Sequence, residues 1–170
     1  GAAMAEPERD TYVMVGDGSY LMLANEIATA YQEGISLTVV ILDNHGFRCI
    51  TNLSGACGGD NPFNDFRVRD PESGSFTGEK LPIDFEANAR SLGAEVLTAD
   101  TPAALESALA EAKRRRGGPV AIVVEVNPEP SVPSYDSWWD VPVAEVSTSP
   151  RVQAARREYE ENLKRERSFV

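Results

Sequence analysis

The chain has 170 residues, with 16 Lys and Arg against 27 Asp and Glu and a net charge of −11. That length suits one α/β domain able to bury about 70% of its unfolded surface. The acidic balance argues against nucleic acid or an anionic membrane surface as a partner. No segment reads as a signal peptide or as the roughly 20 apolar residues of a membrane span.

Residues 1–7 (Gly-Ala-Ala-Met-Ala-Glu-Pro) have the composition of the last turns of a small-residue helix stopped by proline, with no strand before them. The chain is therefore expected to lack an N-terminal strand and helix and to be a C-terminal fragment. Residues 11–15 form a short apolar strand, and residues 20–33 are spaced as a helix closed by Gly34. Residues 37–42 read as a buried parallel strand. Residues 44–80 are rich in Gly, Asn, Asp and Pro and show little periodicity, which predicts a lid loop in which Arg48, Arg67 and Arg69 could meet substrate oxygens. Asp84 is placed to cap a helix through Leu92 ended by Gly93, and residues 94–97 are a short strand. Residues 101–116 follow as an amphipathic helix with Pro102 in its first turn. Its closing run Arg114-Arg115-Arg116 before Gly117 complements the helix dipole rather than binding nucleic acid. Residues 120–126 are a strong buried strand, and residues 127–142 carry three prolines before Trp138 and Trp139, which are expected to be buried against this domain or another subunit. Residues 150–167 read as a charged helix. Strands alternating with helices predict a doubly wound, mostly parallel α/β sheet with helices on both faces.

The chemistry concentrates at two strand ends. Gly16-Asp17-Gly18-Ser19 follows the first strand, and Asp43-Asn44-His45-Gly46 ends the second. A strand, a glycine turn and a helix N-terminus make an anion site, because free N–H groups and the helix dipole point at the ligand. Asp17 opposes this: a carboxylate about 5 Å from a phosphate charge repels it by roughly 3 kcal/mol at an effective dielectric near 20. A cation between them resolves the conflict. In a right-handed βαβ unit the second strand ends on the same sheet edge, so Asn44 can supply an amide oxygen, and the carbonyl of a nearby glycine turn a third ligand. Such oxygens select a hard ion, Mg²⁺ or Ca²⁺. Cys49 and Cys57 lack CxxC spacing, and the single His45 leaves no His/Cys cluster for zinc. A reduced, cytoplasmic protein is expected.

Gly16-Asp17-Gly18 followed by Asn44 resembles the thiamine diphosphate enzymes at their C-terminal diphosphate-binding domain. Residues 13–23 and 135–147, the latter with its paired tryptophans, resemble the branch of that family that hydrolyses trihydroxycyclohexanedione in inositol catabolism. The resemblance implies the thiamine diphosphate-binding fold over residues 1–147, followed by a C-terminal helix in residues 148–170. It implies Mg²⁺ held by the Asp17 and Asn44 side chains and the Gly46 carbonyl. Gly16, Gly18 and Ser19 would surround the diphosphate, with His45 and Phe47 also at the cofactor. It further implies cleavage of a C–C bond of a cyclic 1,2-diketone to give 5-deoxyglucuronate. The cofactor-activating glutamate would lie in an absent N-terminal domain of a homodimer or homotetramer, leaving no catalytic residue here and a chain inactive on its own. Two other readings share the metal pattern: an acetolactate synthase-like carboligase, and a non-catalytic Mg²⁺/nucleotide-binding or assembly module.

Overall fold

The computed structural model describes residues 1–59, 63–128 and 138–167. In chain order the elements are α1 (Ala2–Ala5), β1 (Tyr12–Gly16), α2 (Asp17–Met22), α3 (Glu26–Gln32), β2 (Leu37–Asp43), α4 (Arg48–Ala56), α5 (Phe85–Ser91), β3 (Glu95–Ala99), α6 (Pro102–Arg114), β4 (Pro119–Glu125) and α7 (Pro150–Leu163). They fall into two compact units, Gly1–Phe47 with Glu79–Pro128 and Arg48–Gly78 with Glu129–Val170. The chain thus divides after residues 47, 78 and 128.

The first unit is a parallel sheet in the order β1-β2-β4-β3. Alternate side chains of the Val- and Ile-rich strands point to opposite faces. On one face Val40, Ala99, Val120, Ile122 and Val124 pack with Ala108 and Ala112 of α6. The alternate positions Val39, Ile41 and Ala121 are buried as well, so the central strands are covered on both sides. Ile41 and Ile122 are inaccessible to solvent, and burial at such positions stabilises by roughly 2–3 kcal/mol each. The chain steps one way across the sheet from β1 to β3 and returns from β3 to β4. Right-handed crossovers then place α6 on the face opposite α2, α3 and α5. This is the doubly wound arrangement expected, and it gathers every strand's carboxyl end at one edge.

Several local signals act as read. Gly34 has φ +63°, and the Gly34 N–H to Tyr31 and Ile35 N–H to Ala30 bonds complete a Schellman cap on α3. The Asp84 carboxylate accepts from Ala87 N–H at 2.8 Å and Thr101 Oγ1 accepts from Ala104 N–H at 3.2 Å, each satisfying a free donor of the helix it starts. The arginine run is structural: Arg114 and Arg115 pair with Glu111, Arg115 also with Glu95, and Arg116 with Asp10 at 2.9 Å. Arg116 and Lys113 hold the Asp10 carboxyl below the usual carboxylate range.

Three expectations are corrected. The helix foreseen over 20–33 begins earlier, at Asp17, and breaks at Leu23, whose φ −152° and ψ 54° leave the helical region before α3 starts. The 44–80 stretch is not loop throughout, since α4 occupies nine residues of it without burying any. The expected helix over 150–167 ends at Leu163.

Among its described residues the second unit has little apolar core: Val143 is buried, while Ile50, Phe63, Trp139 and Val146 are exposed. Arg67 donates to the Gly78 carbonyl at 3.0 Å, and Arg69 donates to the Gly74 carbonyl and lies 4.5 Å from the Phe76 ring centroid, so both arginines hold their own loop. Arg48 is 4.0 Å from Asp65. Trp138 packs against Tyr159 with centroids 6.2 Å apart, and Tyr159 O–H donates to Asp140 at 2.9 Å. Residues 135–137, part of the segment singled out in the sequence, lie outside the described residues.

Candidate functional site

The pairing of Gly16 with Leu42 places the residues just after β1 beside those ending β2. Asp17 is inaccessible to solvent. Its Oδ1 accepts from Gly18 N–H at 2.7 Å, and its Oδ2 accepts from the N–H groups of Asn44 and Gly46, each at 3.1 Å. An ionised carboxylate offers about four acceptor positions, and the N–H groups of Gly18, Asn44 and Gly46 take three of them. Burial pushes the Asp17 carboxyl above its ordinary range, and the neighbouring Asp43 adds to this, although the backbone donors act the other way. A charge so placed is costly unless something positive balances it.

Asn44 supplies a second unmet requirement. Its Oδ1 is buried with no hydrogen-bond partner, a condition that costs about 1–3 kcal/mol when nothing fills it. A buried carboxylate and an unsatisfied amide oxygen on adjoining strand ends are the donors a hard divalent cation takes. The residues present therefore fit Mg²⁺. Gly46 meets Asp17 through its N–H.

The two glycines have different physical reasons. A Cβ at Gly18 would stand 2.6 Å from the Phe47 ring, so this position is bare because Phe47 packs on it. Gly16 has φ −71° and ψ 153°, which any residue adopts, and a Cβ there would meet nothing within 4 Å. The chain's own packing gives no reason for glycine at 16, and a bare position there leaves room for a group to approach the backbone closely. Ser19 is exposed in the first turn of α2. That helix has six residues.

His45 lies between the two candidate ligands with φ +63°. Its N–H donates to Asp43 Oδ1 at 3.1 Å, its Nε2 meets the Leu81 carbonyl at 3.1 Å and its Nδ1 is 3.6 Å from Asp43 Oδ1. Asp43, His45, Lys80, Asp100 and Glu125 line a cleft of about 380 Å³ along the carboxyl ends of β2, β3 and β4. The sequence reading missed Lys80, Asp100 and Glu125. Asp100 and Glu125 could have been found as charged residues at the ends of apolar strands, which parallel order brings to the same edge.

Comparison with known proteins accords with this geometry. The family described as "Thiamine pyrophosphate enzyme, C-terminal TPP binding domain" matches residues 1–124. The chain is similar to a 3D-(3,5/4)-trihydroxycyclohexane-1,2-dione hydrolase of Geobacillus thermodenitrificans, 40% identical over 169 residues, 99% of this chain and 26% of the relative. It is also similar to one from Clostridium perfringens, 41% identical over the same shares. The chain thus spans about a quarter of the length of these curated relatives. Among solved structures, a thiamine diphosphate-dependent 4-hydroxybenzoylformate decarboxylase of Rhodococcus jostii RHA1 shares the fold, with a TM-score of 0.61 and 24% identity over 74% of this chain and 21% of that one. Among the described residues no helix is long and apolar enough to cross a membrane. Matched over its sheet, its crossover helices and the Asp17–Asn44 site, the chain belongs to the family of C-terminal TPP-binding domains of thiamine pyrophosphate enzymes.

Proposed function

We propose that this chain is the cofactor-binding part of a thiamine diphosphate-dependent hydrolase that cleaves a C–C bond of a cyclic 1,2-diketone, trihydroxycyclohexanedione to 5-deoxyglucuronate, in myo-inositol catabolism. The observation that carries the site is the partnerless, buried Asn44 Oδ1 beside the buried Asp17 carboxylate. The substrate rests on 40% identity across 99% of the chain to proteins named for that reaction.

In this reading the Asp17 and Asn44 side chains and the Gly46 carbonyl hold Mg²⁺, with Gly16, Gly18 and Ser19 around the diphosphate and His45 and Phe47 beside it. When bound, thiamine diphosphate supplies a nucleophilic carbon and an electron sink for breaking a bond next to a ketone. The chain's own residues bind and orient the diphosphate, and Asp17 balances the metal's charge. The cofactor-activating glutamate belongs to a further domain of the intact enzyme, a cytoplasmic homodimer or homotetramer. No nucleic acid or membrane takes part.

Calorimetric titration of thiamine diphosphate with and without Mg²⁺ tests the site. Mg²⁺-dependent heat with thiamine diphosphate, and none with adenine nucleotides, is the expected result. Equal binding of ADP would point instead to a nucleotide-binding module. For the substrate, the full-length protein should turn over the diketone and leave pyruvate untouched, and the reverse would assign a carboligase.

The raised Asp17 carboxyl gives a pH signature. Stabilisation tied to its protonated form is complete below the unfolded-state value near 3.8 and disappears as pH rises through the higher folded value. The metal-free protein loses that contribution across this window, while the ionised group gains affinity for the cation. The rise in Tm caused by Mg²⁺ and thiamine diphosphate should therefore grow with pH from about pH 4 upward. A rise that is constant from there to neutrality would count against Asp17 as the ligand.

A further inference from the structure

The turn between the two candidate ligands depends on a residue in an uncommon conformation. His45 is the single non-glycine with positive φ among the described residues, and a side chain in this region needs surroundings that hold it there. Asp43 Oδ1 accepts from His45 N–H at 3.1 Å, while the ring reaches the Leu81 carbonyl through Nε2 at 3.1 Å. That carbonyl is itself fixed, since it also accepts from Ile83 N–H at 2.8 Å. On either side of His45, the N–H groups of Asn44 and Gly46 both end on Asp17 Oδ2.

Leu81 has a particular place in the chain. The polypeptide leaves the first unit after Phe47 and re-enters it at Glu79. The imidazole therefore spans the two ends of a 31-residue excursion, Arg48–Gly78, from within the unit that carries the site. We infer that His45 is a positioning residue: with its backbone N–H on Asp43 and its ring on the Leu81 carbonyl, it latches the returning chain to the metal turn. The latch keeps that turn left-handed, so that both N–H groups meet Asp17 and Asn44 Oδ1 is left for the cation. The inference rests on the proposed Mg²⁺ and thiamine diphosphate reading for its ligand, and on the turn's hydrogen bonds for its geometry.

Three variants separate ring from backbone. His45→Asn tolerates positive φ but is too short to reach Leu81. His45→Gly relieves the backbone and has no ring. His45→Gln can place a donor where Nε2 stands. We expect His45→Asn and His45→Gly to lose about tenfold or more in Mg²⁺-dependent thiamine diphosphate affinity, as loss of supporting contacts around a metal typically does. In the metal-free protein the Asn44 and Gly46 amides should exchange hydrogen faster in both, with circular dichroism melts near wild type. His45→Gln should recover both properties. Wild-type affinity and wild-type exchange in His45→Gly would overturn the proposal. If the parent chain binds no thiamine diphosphate with Mg²⁺, the functional reading fails by itself, and the exchange rates still decide the latch. Should His45→Asn not fold, His45→Gly against His45→Gln gives the same comparison.

Discussion

Asp17→Ala is expected to abolish the Mg²⁺-dependent rise in Tm on adding thiamine diphosphate, while changing the metal-free melting point by only a few degrees. Ligand at about 100 times Kd stabilises by roughly 2.7 kcal/mol. At roughly 2–4 °C per kcal/mol for a domain of this size, that is a rise of about 5–10 °C to be lost. The metal-free change is smaller because two effects oppose. The substitution strands the N–H groups of Gly18, Asn44 and Gly46, each hydrogen bond being worth about 1 kcal/mol net. It also removes a buried carboxylate whose desolvation opposes those donors and pushes its pKa up. A net loss of about 1–2 kcal/mol follows from this balance. Asp17→Asn distinguishes charge from shape, because its amide nitrogen would face at least one N–H that now has an acceptor. It should lose the Mg²⁺ response just as fully. Thermal denaturation with and without Mg²⁺ and cofactor measures all of this, and an unchanged increment in Asp17→Ala would exclude Asp17 as the cation's ligand.

The parts of this site that were legible in the sequence are those set by local chemistry. An acid inside a glycine turn after an apolar strand required a counter-charge, and an asparagine after the next strand could help supply it. The strands themselves are runs of Val, Ile and Leu, and the helix ends at Gly34, Gly93 and Thr101 follow from conformational preference and capping. What was not legible depends on register. Gly16 opposite Leu42 brings the Asn44 and Gly46 amides to Asp17 and the Phe47 ring to Gly18, and neither contact has a local signature. The break at Leu23 is of the same kind, as residues 20–33 contain no proline or glycine to announce it. The α4 helix was hidden for another reason. Thr51, Asn52 and Gly55 are poor helix formers, and since no residue of α4 is buried, the weak stripe of Cys49, Ile50 and Leu53 was outweighed by composition.

Gly58 governs how that helix meets α7. It has φ +80° at the C-terminus of α4, where the Gly58 N–H to Gly55 and Gly59 N–H to Ser54 bonds form a Schellman cap. A Cβ on it would lie 2.6 Å from the Arg151 carbonyl oxygen and 2.9 Å from Val152 N. Gly58→Ala therefore combines the cost of left-handed backbone, about 1–2 kcal/mol, with an overlap against main chain that no rotamer change relieves. The neighbour that must give way is the first turn of α7, whose residues include none that are buried. A helix held by so little apolar contact should leave its seat rather than strain the cap. We expect Gly58→Ala to speed proteolysis and amide exchange across residues 150–163 by an order of magnitude or more, as a local loss of roughly 2 kcal/mol implies. The sheet unit has its own core in Ile41, Ile122 and the α6 alanines, so amides of β2 and β4 should keep wild-type protection. Gly58→Asn, which tolerates the positive φ but carries the same Cβ, separates the two costs. If the clash governs, Asn will behave like Ala; if the left-handed backbone governs, Asn will recover most of the protection. Unchanged exchange along α7 in both variants would show that the two helices do not meet through this glycine.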